Sequence, residues 1–97
     1  MILHTLMSSP FKIDLILFNQ SILKKDALVV LQDGVLFSIK NNFLLKTFIF
    51  KTKKLYVLKN DLNIRGILDS KVSNLFFSIE YLDFVVLTEI YSKQMVW

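Results

Sequence analysis

The run Ala27-Leu28-Val29-Val30-Leu31, held between Asp26 and Gln32-Asp33-Gly34, is apolar without a break. Alternation would mark a strand with one wet face, whereas a continuous run of this kind marks a strand covered on both faces, as in a parallel sheet. Such a strand is central, and its covering layers come from helices that cross over between successive strands.

The flanking segments read in that way. Residues 1–6 are short and mostly apolar and end at Ser8-Ser9-Pro10, a first strand closed by a turn. With Ser9 as N-cap and Pro10 at the first helical position, Phe11, Leu15, Phe18 and Ile22 fall on one helix face. Ile13, Ile16, Leu17 and Leu23 lie off that stripe and widen the apolar surface beyond what one sheet contact needs. After Asp33-Gly34, residues 35–39 carry helical potential up to the turn at Asn41-Asn42, and a short helix follows over residues 43–50. Leu55-Tyr56-Val57-Leu58 is a third strand, followed by a short helix capped by Asn60 or Asp61 and stopped by Gly66. Residues 75–79 are a fourth strand and residues 81–91 a helix. In that helix Leu82, Val85 and Val86 line one face and Phe84, Leu87 and Tyr91 another, leaving Asp83, Thr88 and Glu89 solvated. Gln94-Met95-Val96-Trp97 has strand character, and packing accounts better than fraying for the indole of Trp97. Five strands alternate with helices, which predicts an α/β fold: a mostly parallel open sheet with helices on both faces.

Ninety-seven residues suit one domain spanning 1–97, with no room for a linker-joined pair. The folded surface of a chain this size is roughly 5,800 Å². With 54% hydrophobic residues, more apolar material is present than so small a core hides, so some of it faces partners. The chain reads as an obligate oligomer subunit. A membrane span needs about 18 consecutive apolar residues, and none is present. Met1-Ile2-Leu3-His4 lacks the cationic start of a signal peptide, which predicts a cytoplasmic protein.

Charge is unevenly spread. Residues 1–33 hold three lysines and three aspartates, and residues 61–97 hold three basic and five acidic groups. Between Gly34 and Asn60 lie Lys40, Lys46, Lys51, Lys53, Lys54 and Lys59 with no carboxylate, a cationic segment open to an acidic or nucleic-acid partner. The plainer reading is that Lys51, Lys53 and Lys54 solvate the end of the helix over 43–50.

Reactive chemistry is sparse. The chain has no cysteine, so it offers no thiolate nucleophile, no persulfide carrier and no sulfur-rich zinc site. His4, the one histidine, is read first as a buried, hydrogen-bonded structural residue, with a functional role as the alternative. One histidine and scattered aspartates have no metal-ligand spacing. No cofactor is implied. Asp33-Gly34 sits where a parallel strand hands over to a helix, the usual position of ligand sites in open α/β sheets. A lone Asp-Gly pair is also first a turn device, and no Gly-rich phosphate loop accompanies it.

Several blocks together resemble one family. Leu3-His4-Thr5-Leu6 with Ser9-Pro10, Leu31-Gln32-Asp33-Gly34-Val35, Tyr56-Val57-Leu58 leading to Asp61-Leu62 and Arg65-Gly66, Ile79-Glu80-Tyr81-Leu82-Asp83-Phe84-Val85, and Ser92-Lys93-Gln94-Met95-Val96-Trp97 occur in the order and spacing of the TusB/DsrH family. The resemblance marks His4, Asp33, Gly34, Arg65, Gly66, Asp83 and Trp97 as structural motif positions and assigns no catalytic, cofactor or metal residue. It departs from the family in small ways: Glu80 stands where aspartate is common, Lys59-Asn60 precede Asp61, and Ile64 fills an often smaller position. It implies a DsrE-like fold and a heterohexamer with TusC-like and TusD-like subunits. A persulfide on the TusD-like cysteine takes sulfur there from a TusA-like donor and hands it to a TusE-like acceptor, toward 2-thiolation of wobble uridine in tRNA. DsrH-type subunits of sulfur oxidisers can carry a cysteine, and its absence favours the tRNA branch. The implied role is therefore a non-catalytic subunit with only indirect contact to tRNA and none to a membrane. The alternative is a small basic α/β module that binds RNA through the Gly34 to Asn60 segment.

Overall fold

The computed structural model describes residues 1–97, the side chain of Thr47 excepted. In chain order the elements are β1 (Ile2–Leu6), α1 (Leu15–Ser21), β2 (Ala27–Val30), a 3-10 helix (Gln32–Ser38), α2 (Phe43–Thr47), β3 (Leu55–Leu58) and α3 (Lys59–Ile64). A short 3-10 turn (Asp69–Lys71), β4 (Phe77–Ile79), α4 (Tyr81–Ile90) and β5 (Lys93–Val96) complete it. The five strands form one sheet in the order β4-β3-β2-β1-β5, every neighbouring pair parallel. The fold is α/β, as expected, and β2 takes the middle place that its unbroken apolar run calls for.

Alternation along the strands divides the core in two. Leu6, Leu28, Val30, Leu55 and Val57 meet Phe18 of α1, Val35 and Phe37 of the long 3-10 helix and Leu62 of α3. On the opposite face Leu3, Ala27, Val29, Leu31 and Leu58 meet Tyr91 with Phe84 and Leu87 of α4. The first face is the richer one: Phe18, Phe37, Phe48, Phe50 and Phe76 form a chain of tilted and edge-on rings with centroids 5.1–6.5 Å apart.

Helix boundaries depart from the sequence reading wherever capping was assigned by residue type alone. α1 begins at Leu15, where Asp14 Oδ1 accepts the N–H groups of Ile16 and Leu17, both at 3.1 Å. Ser9 instead closes the preceding turn, accepting the Phe11 N–H at 3.3 Å. Phe11 consequently lies outside the helix and exposed, while Ile13 packs on the core. α3 starts at Lys59 with no side-chain cap, because the Asp61 carboxylate is turned toward Gln32. Gly66 does end that region, with φ +68°, a left-handed conformation natural to glycine. α2 stops at Thr47, short of the expected residue 50, so Lys51, Lys53 and Lys54 follow an extended segment and solvate no helix end.

Candidate subunit interface and its supporting network

His4 on β1 is fully buried, enclosed beside Asp26, which is 3% exposed. His4 Nε2 lies 3.0 Å from Asp26 Oδ2, and Trp97 Nε1 lies 3.2 Å from His4 Nδ1. An indole N–H can only donate, so Nδ1 accepts and the imidazole carries its proton on Nε2, directed at the carboxylate. Asp26 accepts two further bonds, from the N–H of Ile2 and of Leu23, both at 2.9 Å. Burial pushes the Asp26 carboxyl up, but the hydrogen bonds from Leu23, His4 and Ile2 outweigh it and hold it below its ordinary value. The network thus fastens the start of β1 and the turn before β2 to one charged group. Asp26 was legible in the sequence only as the polar stop before β2; its role follows from the parallel pairing that sets His4 beside Leu28.

Trp97 completes the network from the other side. Its N–H donates to the Thr5 carbonyl at 2.8 Å, its own carbonyl accepts from Met7 and Ser8, and its ring stands edge-on to Phe18 at 5.1 Å. Packing of the indole, as its sequence context suggests, is what the structure has.

A second polar group forms at the carboxyl ends of β2 and β3. Gln32 adopts φ +52°, and its N–H donates to Asp61 Oδ2 at 2.6 Å. Asp33 pairs with Arg65 Nη2 at 3.0 Å, and Gly66 follows directly. Gly34 lies against β1 so closely that a Cβ there would overlap the backbone carbonyl of Leu6. The structure therefore brings Asp33, Gly34, Arg65 and Gly66 together, but each charged partner already has its counter-charge. Asp83 stands apart from both groups: its Oδ2 accepts the Glu80 N–H at 3.0 Å and locks the first turn of α4. Among the described residues, no cluster of three or more His, Cys, Asp or Glu side chains is placed to hold a metal, and no helix is long and apolar enough to cross a membrane.

What the molecule does present is apolar surface. On α4 the stripe that includes Leu82 and Val86 points away from the sheet, with Leu82 76% exposed, and Tyr81 and Ile90 are exposed beside it. Thr88, expected in solvent, is half-buried and its hydroxyl donates to the Val85 carbonyl. On the other side of the molecule Ile16 and Leu17 of α1, and Leu23 just beyond its end, are more than half exposed, while Ile13, expected with them, packs on the core. Both sheet edges are thinly covered: every residue of β5 is exposed, as are Phe77 and Ser78 of β4. Single exposed apolar residues are ordinary, whereas grouped faces of this kind are candidate contact surfaces. Replacing Ile16, 74% exposed, by Asp tests the α1 face. The variant is expected to keep its circular dichroism and its stability within about 0.5 kcal/mol, as surface substitutions do, and to lose partner binding, because an unpaired carboxylate is costly to bury. Outright unfolding would place Ile16 in the internal core.

Comparison with known proteins agrees with this architecture. A family model described as "DsrH like protein" matches residues 8–94. Protein TusB of Buchnera aphidicola subsp. Schizaphis graminum is 43% identical over 95 residues, covering 98% of this chain and 99% of that protein. Protein TusB of Escherichia coli O81 (strain ED1a) is 40% identical with the same coverage. Protein Tm0979 of Thermotoga maritima, solved by solution NMR, superposes with a TM-score of 0.70 over 92% of each chain at 22% identity, a likeness of fold. With similarity running through the whole length and the fold in agreement, the chain belongs to the TusB/DsrH family.

Proposed function

We propose that this chain is a non-catalytic subunit of a cytoplasmic sulfur-relay complex that serves 2-thiolation of wobble uridine in tRNA. The observation that carries the reading is whole-length membership in the TusB/DsrH family by a chain without a cysteine. A transferable persulfide needs a thiol, so the sulfur is carried on a TusD-like subunit and this chain contributes surface. The exposed faces of α1 and α4 supply the contact area for TusC-like and TusD-like neighbours in a heterohexamer, with a TusA-like protein as donor and a TusE-like protein as acceptor.

Co-expression with the TusC-like and TusD-like subunits tests the assembly. Native mass spectrometry should give one complex with equal amounts of the three chains, and a stable, soluble lone monomer would refute the subunit role. Incubation of that complex with a cysteine desulfurase, the relay donor and sulfur-labelled cysteine should leave this chain unlabelled while the complex turns over. Reductant-sensitive label on it would overturn the non-carrier assignment.

A further inference from the structure

Four of the lysines gather at the amino ends of β2 and β3. Lys24, in the turn before β2, and Lys51, Lys53 and Lys54, just before β3, line one cavity of about 290 Å³ together with Thr52. Thr52, 3% exposed, draws the two loops together: its hydroxyl donates to the Asp26 carbonyl at 2.6 Å and accepts the Lys54 N–H at 3.1 Å. The Lys54 carbonyl in turn accepts the Leu28 N–H at 2.9 Å. The cationic side chains thus rise from loops that buried hydrogen bonds hold in place. Among the described residues the carboxylates that pair with a basic side chain are Asp26, hydrogen-bonded by the His4 imidazole, and Asp33, in an ion pair with Arg65, so none of these four lysines has a carboxylate partner. The carboxylate nearest to them in sequence, Asp26, is buried and occupied by His4, Ile2 and Leu23. Like charges held around one cleft without a counter-charge repel each other and call for an anion.

A second cavity, of about 510 Å³, adjoins the first and shares Thr52 and Lys53 with it. Its lining includes Phe48, Phe50, Leu75 and the edge strand at Phe77, whose ring, 62% exposed, stands 6.3 Å from that of its register partner Tyr56. An acidic peptide would meet the lysines through its carboxylates and could reach the second cavity only with a separate apolar side chain. A nucleotide chain uses both cavities, since its phosphates meet cations while an unstacked base lies on an aromatic ring. We propose that these adjoining cavities bind single-stranded RNA, with phosphates on Lys24, Lys51, Lys53 and Lys54 and a base against Phe77. The site lies outside the proposed sulfur-relay role and stands or falls independently of it.

The test is fluorescence anisotropy with a labelled 12-nucleotide single-stranded RNA of mixed sequence, on the full chain co-purified with whichever partner subunits keep it soluble. Phosphate contacts on a single strand each contribute about −0.7 to the slope of log K against log salt. Joint replacement of Lys24, Lys51, Lys53 and Lys54 by Gln should therefore flatten the slope by roughly 3. Each single Lys→Gln variant should remove about 0.7, which keeps the test available if the quadruple variant folds poorly. Phe77→Ala should weaken binding about tenfold with the slope unchanged, the signature of lost stacking. A control that replaces Lys12, Lys40, Lys46 and Lys71 by Gln alters net charge equally and should leave most of the slope intact. The proposal fails if the parent does not bind the RNA, if the control variant loses as much as the cleft variant, or if poly-glutamate binds the cleft and the RNA does not.

Discussion

Asp26→Ala should lower stability by about 3–5 kcal/mol, the sum of three donors losing one acceptor and the largest loss expected from any single polar substitution in this chain. The carboxylate is the common acceptor for His4 Nε2 and the N–H groups of Ile2 and Leu23, and its removal orphans three donors in a nearly dry site. Against a total stability of order 5–15 kcal/mol for a domain this size, that is a large share, and the melting temperature should fall by more than about 12 °C. Acid sensitivity should change with it. Because the folded Asp26 carboxyl sits below its ordinary value of 3.8, its contribution is fully present above that value and is lost as pH drops through the lower folded one. The parent should therefore lose stability below about pH 4 more steeply than the variant, which has no carboxyl to protonate. Denaturant titrations of both proteins between pH 2 and pH 7 check this, and parallel curves would show that the carboxylate is not held by its three donors.

Gly34→Ala should be of similar severity for a steric reason. The added methyl would overlap the Leu6 carbonyl, which is backbone and already accepts the Leu31 N–H at 3.0 Å. Relief requires the 3-10 helix to lift off β1, which separates Val35 and Phe37 from the core they share with Leu6. A loss of at least about 3 kcal/mol is expected, at the upper end for overpacking, since no rotamer change can yield. Gly66→Ala should be much milder, near 1 kcal/mol, because its left-handed φ is the only obstacle and nothing lies within reach of a Cβ. Equal losses at the two glycines, measured by chemical denaturation, would contradict this account of Gly34.

The contrast between these sites bears on what a sequence displays. The parallel sheet was legible from Ala27 to Leu31 because burial on both faces leaves a local, unbroken pattern. The outward apolar face of α1 was legible in the same way, from residues that one face cannot accommodate. Caps were harder, since Ser9, Asn60 and Asp61 have the right chemistry and the helices start elsewhere: Asp14 was available for α1, and Asp61 was taken by Gln32 across 29 residues. Lys51, Lys53 and Lys54 read as helix-end charges while α2 was expected to reach residue 50, and only the actual stop at Thr47 and the arrival of Lys24 show them as one cleft. The His4–Asp26–Trp97 network depends on pairings over 22 and 93 residues, so its members were visible singly and their association was not. The resemblance marks His4 and Trp97 singly, and the structure joins them by a hydrogen bond.

The position of β1 also shapes how the chain reaches its native state. β1 has β2 on one side, with Leu3 opposite Ala27, and β5 on the other, with Leu3 opposite Gln94. Closing the first pairing spans a short loop, while the second joins segments from nearly opposite ends of the described chain, and loop-closure entropy makes the nearer pairing the earlier one. β1 is therefore expected to spend the early part of folding with one edge open, with β5 docking onto a sheet already built. Substitutions in β1 and β2 then act mainly on the refolding rate, whereas loosening β5 or its Trp97 anchor acts mainly on the rate of opening.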